Sequence, residues 1–355
     1  MSSPAVVIIA DDLTGALDSS APFAAMGLRC VTALSGATLP AALEQSPQVL
    51  AVTLGTREAS PQVAGQRATD AVLSLRPFAG PGTLWLKKID SRLKGPVAAE
   101  TAAIARALGL TRVLLCPAIP DLGRIVRQGH VTGAGVTQPI PVRLALDGVT
   151  ISTPDAETVA DLDRILQDAG PDCLLVGARG LAGAVARALP SGRPPAPARL
   201  PPGALGFALG SRDPVTLAQI AALRDGGGPR WVAAPDGQVP PPSAPGAMLV
   251  QATPGPGAEA SAVATALAQG VLPYLSGLGA LVIGGGETVA ALLQAAGAGL
   301  VQVQGEVLPG LPLCRVLDLP CFPVLITKSG GFGQADTLLQ LWQTALSALD
   351  THPCP

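Results

Sequence analysis

Five short stretches concentrate the residue types that could do chemistry. The first is Ala10-Asp11-Asp12-Leu13-Thr14-Gly15-Ala16-Leu17-Asp18, where two adjacent acids close an apolar run and open a helical pattern. Side chains of neighbouring extended residues point to opposite sides, so the two carboxylates are expected to do different jobs. One of them suits a helix N-cap. Two acids with Thr14 and Asp18 exceed what capping needs, and a carboxylate here could orient or deprotonate a hydroxyl or meet a metal ion. The second is Lys87-Lys88-Ile89-Asp90-Ser91-Arg92-Leu93-Lys94-Gly95. Four cations in eight residues most often mean a solvated loop. Their place at a strand's carboxyl end favours an anion site, with Thr56-Arg57 from another strand end supplying a guanidinium fork for a carboxylate.

The other three stretches are glycine-bearing. Gly210-Ser211-Arg212-Asp213-Pro214 reads as a turn with an N-cap and a proline at the first helical position. Gly284-Gly285-Gly286-Glu287-Thr288 lies between a strand and a helix, where glycines allow close backbone approach and free N–H groups face an anion. Lys328-Ser329-Gly330-Gly331-Phe332-Gly333 could form a second phosphate cradle. None of these fits G-x-x-x-x-G-K-[ST], so a P-loop is excluded. Gly177–Gly183 reads as a close strand–helix turn. A dinucleotide-binding dehydrogenase is excluded because no G-x-G-x-x-G follows the first strand with an acid about 20 residues on.

The elements that must position these residues alternate in type. Strands are expected at 6–10, 48–54, 84–87, 112–116 and 173–176, with helices at 14–26, 62–75, 97–108, 156–167 and 181–189. The residues 190–203, PSGRPPAPARLPPG, form the clearest composition break and read as a semi-rigid linker. Beyond it the alternation restarts. Strands are expected at 205–209, 247–250, 280–283 and 323–327, with helices at 214–223, 259–274, 288–296 and 335–349. A Pro/Gly loop is expected at 235–246. The pattern predicts an α/β protein of two domains, each a mostly parallel sheet flanked by helices, with an interdomain cleft. The domains are expected at 1–189 and 204–355. Ligands of such sheets bind at the carboxyl ends of the strands.

Composition narrows the function. The chain has 355 residues, enough for two domains, and 48% are hydrophobic. Lys+Arg number 23 and Asp+Glu 25, a net charge of -2 that offers no field for a nucleic-acid backbone. His130 and His352 are the two histidines, which excludes a histidine metal cluster. The cysteines at 30, 116, 173, 314, 321 and 354 form no C-x-x-C pair and read as reduced cytosolic thiols. No signal peptide or membrane span is expected, and the predicted location is the cytoplasm. A homodimer is compatible with the low charge and high apolar content. An acidic and basic pocket in the first half and a glycine-rich pocket in the second suit phosphoryl transfer, which is mainly positioning and charge neutralisation.

The chain resembles the four-carbon acid sugar kinase family over nearly its whole length. ADDLTGALD (10–18), KKIDSRLKG (87–95) and PAIPDLGR (117–124) resemble the stretches of the family's sugar-acid-binding domain. GSRDPVTLAQ (210–219), GGET (285–288), PGLP (309–312) and KSGGFG (328–333) resemble those of its nucleotide-binding domain, in the same order. The resemblance implies an ATP-dependent kinase of tetronate-type acids, with Mg²⁺ accompanying ATP. It carries substrate contacts onto Asp12, Arg57, Lys88, Asp90 and Ser91. Asp12 is the expected base or hydroxyl-orienting carboxylate, with Asp11 as the alternative, and Lys88 and Arg57 are expected to hold the substrate carboxylate or neutralise developing charge. Nucleotide contacts fall on Ser211, Gly285, Gly286, Glu287, Thr288, Gly330, Gly331 and Gly333. Two departures stand out: Arg92 and Pro96 replace a usual threonine and asparagine, and the segment after Arg124 is short. They motivate an alternative, a non-catalytic binder of a sugar acid or nucleotide on the same scaffold.

Overall fold

A computed structural model describes residues 3–170, 172–190, 197–242 and 246–350. The chain divides into two compact units, Met1–Ala196 with Gln302–Gly305, and Pro197–Val301 with Glu306–Pro355. Residues 191–196 of the expected linker, with His352 and Cys354, lie outside the described residues.

The first unit carries β1 (Val6–Ala10), α1 (Leu13–Ala25), β2 (Cys30–Ala33), α2 (Leu39–Glu44), β3 (Val49–Thr53), α3 (Pro61–Leu75), β4 (Leu84–Lys88), α4 (Val97–Leu108) and β5 (Arg112–Cys116). It continues with β6 (Arg124–Arg127), β7 (His130–Gly133), β8 (Ile140–Pro141), β9 (Thr150–Ser152), α5 (Val159–Ala169), β10 (Cys173–Gly177) and α6 (Arg179–Ala188). The main sheet runs β2-β3-β1-β4-β10-β5-β9, with every pairing parallel. All five residues of β1 are buried, as a strand covered on both faces requires. The chain passes from β1 out to β2 and β3 on one side, then crosses to β4 on the other. That reversal makes the carboxyl ends of β1, β3 and β4 a topological switch point.

The second unit carries β11 (Ala204–Leu209), α7 (Pro214–Asp225), β12 (Arg230–Pro235), β13 (Met248–Thr253), α8 (Ala260–Val271), β14 (Leu278–Gly284) and α9 (Gly286–Ala295). It ends with β15 (Leu300–Leu308), β16 (Leu311–Val316), β17 (Val324–Lys328) and α10 (Thr337–Asp350). Its strand order β12-β13-β11-β14-β17 is parallel, and β16 joins β17 antiparallel. Here the reversal lies between β11 and β14. Phe207, Leu223, Val282, Leu311, Ile326 and Leu338 share one core, against which Trp342 packs edge-on to Phe207 with ring centroids 6.3 Å apart.

The expected α/β architecture is the one observed. Several elements are additional: β2, α2, the antiparallel trio β6-β7-β8, β9, β12, β15 and β16. The helix expected from 156 begins at Val159, where Thr158 and Asp161 form a reciprocal capping box.

Candidate functional site

The first site is built where three parallel strands end side by side. Asp12 is the N-cap of α1, and its Oδ1 accepts the Gly15 N–H at 2.8 Å. Asp11 is 1% exposed and bonds the Arg57 Nε. The two carboxylates were expected to diverge. They converge instead on one guanidinium: Asp12 is still extended at the cap, and the long Arg57 side chain reaches Asp11 through Nε and Asp12 through Nη2. Arg57 Nη2 lies 3.2 Å from Asp12 Oδ2, and Nη1 lies 3.3 Å from Asp90 Oδ2. Arg57 is therefore an ionic hub for three loops, its guanidinium engaged by carboxylates of the chain itself. Burial opposes both charges of the Arg57–Asp11 pair. For Asp11, Lys87 and then Arg57 outweigh burial and hold the carboxyl below its usual range. For Arg57, the bond from Asp11 and the nearby Asp12 and Asp90 raise the guanidinium.

The basic stretch divides into separate tasks. Lys87 is fully buried, with its amine 2.7 Å from Glu100 Oε2, and Thr56 bonds the other Glu100 oxygen. It is a core ion pair, which corrects its place in a four-cation anion site. Lys88 is 5% exposed and donates to the Ile89 carbonyl at 2.8 Å. Its amine comes near Asp12 because residue 15 is glycine. A Cβ there would sit 2.5 Å from Asp12 Oδ1 and 2.9 Å from Lys88 Nζ. Asp90 Oδ1 accepts the Arg92 N–H at 2.8 Å, shaping a turn in which Leu93 adopts φ +58. A leucine in that region costs energy, and such strain collects where a loop must hold a particular shape. Ser91 Oγ accepts from Arg124 Nη1 at 2.5 Å, and Arg124 also donates from Nε and Nη2 to the Ala134 carbonyl. Arg124 thus ties the open end of the β6-β7 hairpin, at Ala134, to the 90–95 loop.

Behind Asp12 lies a second charged cluster. Arg179, at the start of α6, places Nε 3.4 Å from Asp18 Oδ1 and Nη1 3.2 Å from Asp121 Oδ2. Sequence reasoning assigned this segment to a tight turn. The turn is real, since a Cβ on Gly180 would lie 2.2 Å from the Ala118 carbonyl oxygen, but its arginine went unnoticed. Asp18 is 4% exposed. Burial pushes its carboxyl up from the ordinary 3.8 to about 6, with Arg179 and Lys88 only partly opposing it. Between those values the folded chain binds the extra proton, so this group removes stability as pH rises from about 4 to about 6. The expected loss is roughly 3 kcal/mol. Asp18→Asn should abolish that part of the pH dependence. Unfolding midpoints at pH 4 and pH 7 for both proteins measure it, and an equal difference in the two would contradict a buried, charged Asp18.

The second site sits at the other reversal. Gly210, Ser211, Arg212, Gly285, Gly286, Glu287 and Thr288 line a cavity of about 310 Å³ with residues of the α8 start. Gly285 caps α9 at φ +103, a geometry that favours glycine, and a Cβ there would press within 3.3 Å of the Ser211 nitrogen. A Cβ on Gly210 would lie 2.2 Å from Thr288 Oγ1. The two loops are thus closed to side chains and leave the α9 N-terminus facing the cavity. Gly330 and Gly331 lie against Ser211 and Asp213, where a Cβ would meet Ser211 Oγ at 2.7 Å and Asp213 Oδ2 at 3.4 Å. Gly333 does not join them: it packs on Thr337 and Gln219. Lys328 has no exposure and donates to Thr216 Oγ1 at 3.0 Å and to the carbonyls of Ser329 and Gly330. Burial lowers its amine to about 8. It holds the glycine loop's shape from beneath.

These cradles fit a nucleotide's phosphates. For a magnesium ion the fit is to a cation brought with the phosphates, the usual mode for this ion. Among the described residues no group of three or more His, Cys, Asp or Glu is set to hold a metal. No described helix is long and apolar enough to cross a membrane.

Residues 6–142 match the sugar-binding N-terminal domain family and residues 242–338 the nucleotide-binding C-terminal domain family. The chain is 31% identical to a D-threonate kinase of Cupriavidus necator, covering 95% of this chain and 97% of that one. The alignment runs over 411 positions against 355 residues, so the relative carries insertions that this chain lacks. A 3-oxo-tetronate kinase of Burkholderia multivorans is 26% identical over 98% of each chain. A crystal structure from Salmonella typhimurium, provisionally described as a tRNA synthase, superposes with a TM-score of 0.70 at 21% identity. It covers 95% of this chain and 98% of its own, and that likeness shows the fold alone. The paired domains define a two-domain kinase scaffold of nucleotide-binding transferases. The chain belongs to the four-carbon acid sugar kinase family.

Proposed function

We propose that this chain is an ATP-dependent kinase that phosphorylates a hydroxyl of a small, four-carbon sugar acid. The observation that carries the reading is the pairing of two different sites, each at its own sheet's reversal. One gathers Asp12 and Asp90 around Arg57 with Lys88 beside Asp12, and the other is a glycine-lined cavity at the α9 N-terminus. The similarity to D-threonate and 3-oxo-tetronate kinases supports the substrate class.

In this reading Asp12 orients or deprotonates the acceptor hydroxyl, because its side chain is 25% exposed whereas that of Asp11 is 2% exposed. Asp11 keeps Arg57 in place. Lys88 neutralises charge beside Asp12, and Asp90 and Ser91 shape the loop that receives the acid. Ser211, Gly285, Gly286, Glu287 and Thr288 hold phosphate oxygens, with Gly330 and Gly331 closing the cradle. ATP with Mg²⁺ would supply the γ-phosphoryl group, which the acceptor oxygen attacks in line as the bond to the departing ADP breaks.

ADP release should be followed with ATP and Mg²⁺ against four- to six-carbon sugar acids. Turnover is expected with a four-carbon acid. ATP binding by calorimetry without turnover on any acid would instead favour a non-catalytic binder.

A further inference from the structure

The nucleotide cavity holds a cation that the glycine motifs do not account for. Arg212 is the one cation among the described residues lining it, and its side chain is 62% exposed. A polyphosphate entering a cavity whose other charged residue is Glu287 needs such a partner. Behind Arg212 stands Asp236, just beyond the carboxyl end of β12. Asp236 is 6% exposed, and its backbone takes φ +45. Its Oδ2 accepts from the Gly257 N–H at 2.7 Å and the Ala258 N–H at 3.1 Å, and these bonds hold its carboxyl below the usual range. Ala258 itself lines the cavity. Neighbouring glycines make room for this carboxylate, since a Cβ on Gly255 would lie 2.6 Å from Asp236 Cγ.

One oxygen is left over. Asp236 Oδ1 is buried without a hydrogen bond among the described residues, and Arg212 Nη2 stands 3.8 Å away. A buried, unbonded carboxylate oxygen is costly and calls for a partner. A guanidinium has five N–H groups in a rigid fork, so one edge can bond a carboxylate while the other faces a phosphate. Closing the gap to a hydrogen bond takes about 1 Å.

We propose that Arg212 is a nucleotide-phosphate contact and that Asp236 is its positioning residue, bonding Arg212 through Oδ1 when phosphate is bound. This rests on the nucleotide-site reading above.

The test is calorimetric affinity for ATP, ADP, AMP and adenosine without any sugar acid. It uses the wild type, Arg212→Ala, Arg212→Lys, Asp236→Asn and the double variant Arg212→Ala with Asp236→Asn. Arg212→Ala should weaken ATP tenfold to about a hundredfold and leave adenosine unchanged. Arg212→Lys keeps the charge without the fork and should fall between. Asp236→Asn keeps an oxygen for Gly257 and Ala258, so the loop survives. It should weaken ATP severalfold in the wild type and add nothing in the Arg212→Ala background. Unchanged ATP affinity in Arg212→Ala overturns the proposal. So does an Asp236→Asn loss that persists without Arg212 or that falls equally on adenosine. If Asp236→Asn does not fold, the exposed Arg212 variants still decide the phosphate contact. A wild type that binds no ATP overturns the nucleotide-site reading itself, a distinct result.

Discussion

Lys87→Met is expected to lower the unfolding free energy by about 3–5 kcal/mol, the scale for breaking a buried ion pair from one side. The Lys87 amine has no exposure and Glu100 is 1% exposed. Glu100 Oε2 is 2.7 Å from the amine, and the amine also donates to the Lys88 carbonyl at 2.9 Å. Methionine fills similar volume, so the loss is electrostatic rather than a cavity. It leaves the Glu100 carboxylate in the interior with Thr56 as its described side-chain partner. Adding Glu100→Gln should recover much of the loss, because no lone charge then remains buried. Denaturant unfolding of the wild type, the single variant and the double variant reads this directly. A loss below about 1 kcal/mol for Lys87→Met would mean the pair behaves like an exposed one. Because Lys87 also holds down the Asp11 carboxyl, the single variant should in addition loosen the Arg57 hub.

That dual role of one basic stretch explains what the sequence could and could not reveal. The strand runs Val6–Ala10 and Arg112–Cys116 were legible because a strand buried on both faces is a continuous apolar run. The loops after β1, β4, β11 and β14 were legible because acids, lysines or glycines interrupt that pattern at each carboxyl end. Which lysine faces the core was not legible. Lys87 and Lys88 are neighbours on a strand, and alternation puts them on opposite faces without saying which face holds Glu100, on α4. Arg179 and Asp236 were missed for a related reason. Each is a single charged residue at an ordinary helix start or strand end, and its partners, Asp18 and Asp121 or Gly257 and Arg212, are distant in sequence.

The missed strands have their own causes. Cys30–Ala33 is four residues long, too short for a periodicity. Leu300–Leu308 and Leu311–Val316 flank Pro309-Gly310, and the proline and glycine drew attention as a motif rather than as a turn between strands. Among the glycines, motif spacing grouped Gly333 with Gly330 and Gly331. The steric environment separates them: Gly330 is pinned by Ser211 at the cavity, Gly333 by Gln219 and Thr337 within its own loop.

Asp12→Asn is expected to cut turnover by about 10²–10⁴-fold, the range for losing a general base, while changing stability by less than about 1 kcal/mol. The two effects separate because Asp12 has two jobs on two oxygens. Oδ1 caps α1 through the Gly15 N–H, and Oδ2 accepts from Thr14 Oγ1 at 3.1 Å and faces Arg57 at 3.2 Å. Asparagine caps a helix as well as aspartate does, so the helix start survives. What is lost is a carboxylate able to take or steer a hydroxyl proton, together with part of the charge that faces Arg57 and Lys88. Asp12→Ala removes the cap as well and should cost about a further 1 kcal/mol of stability. If Asp12 were only a cap, the activities would follow stability, with Asp12→Asn near wild type and Asp12→Ala impaired. If it is the base, both lose turnover alike and only Asp12→Ala loses stability. Steady-state ADP release and thermal unfolding on the three proteins distinguish these patterns, with ATP affinity as the control that the second site is intact.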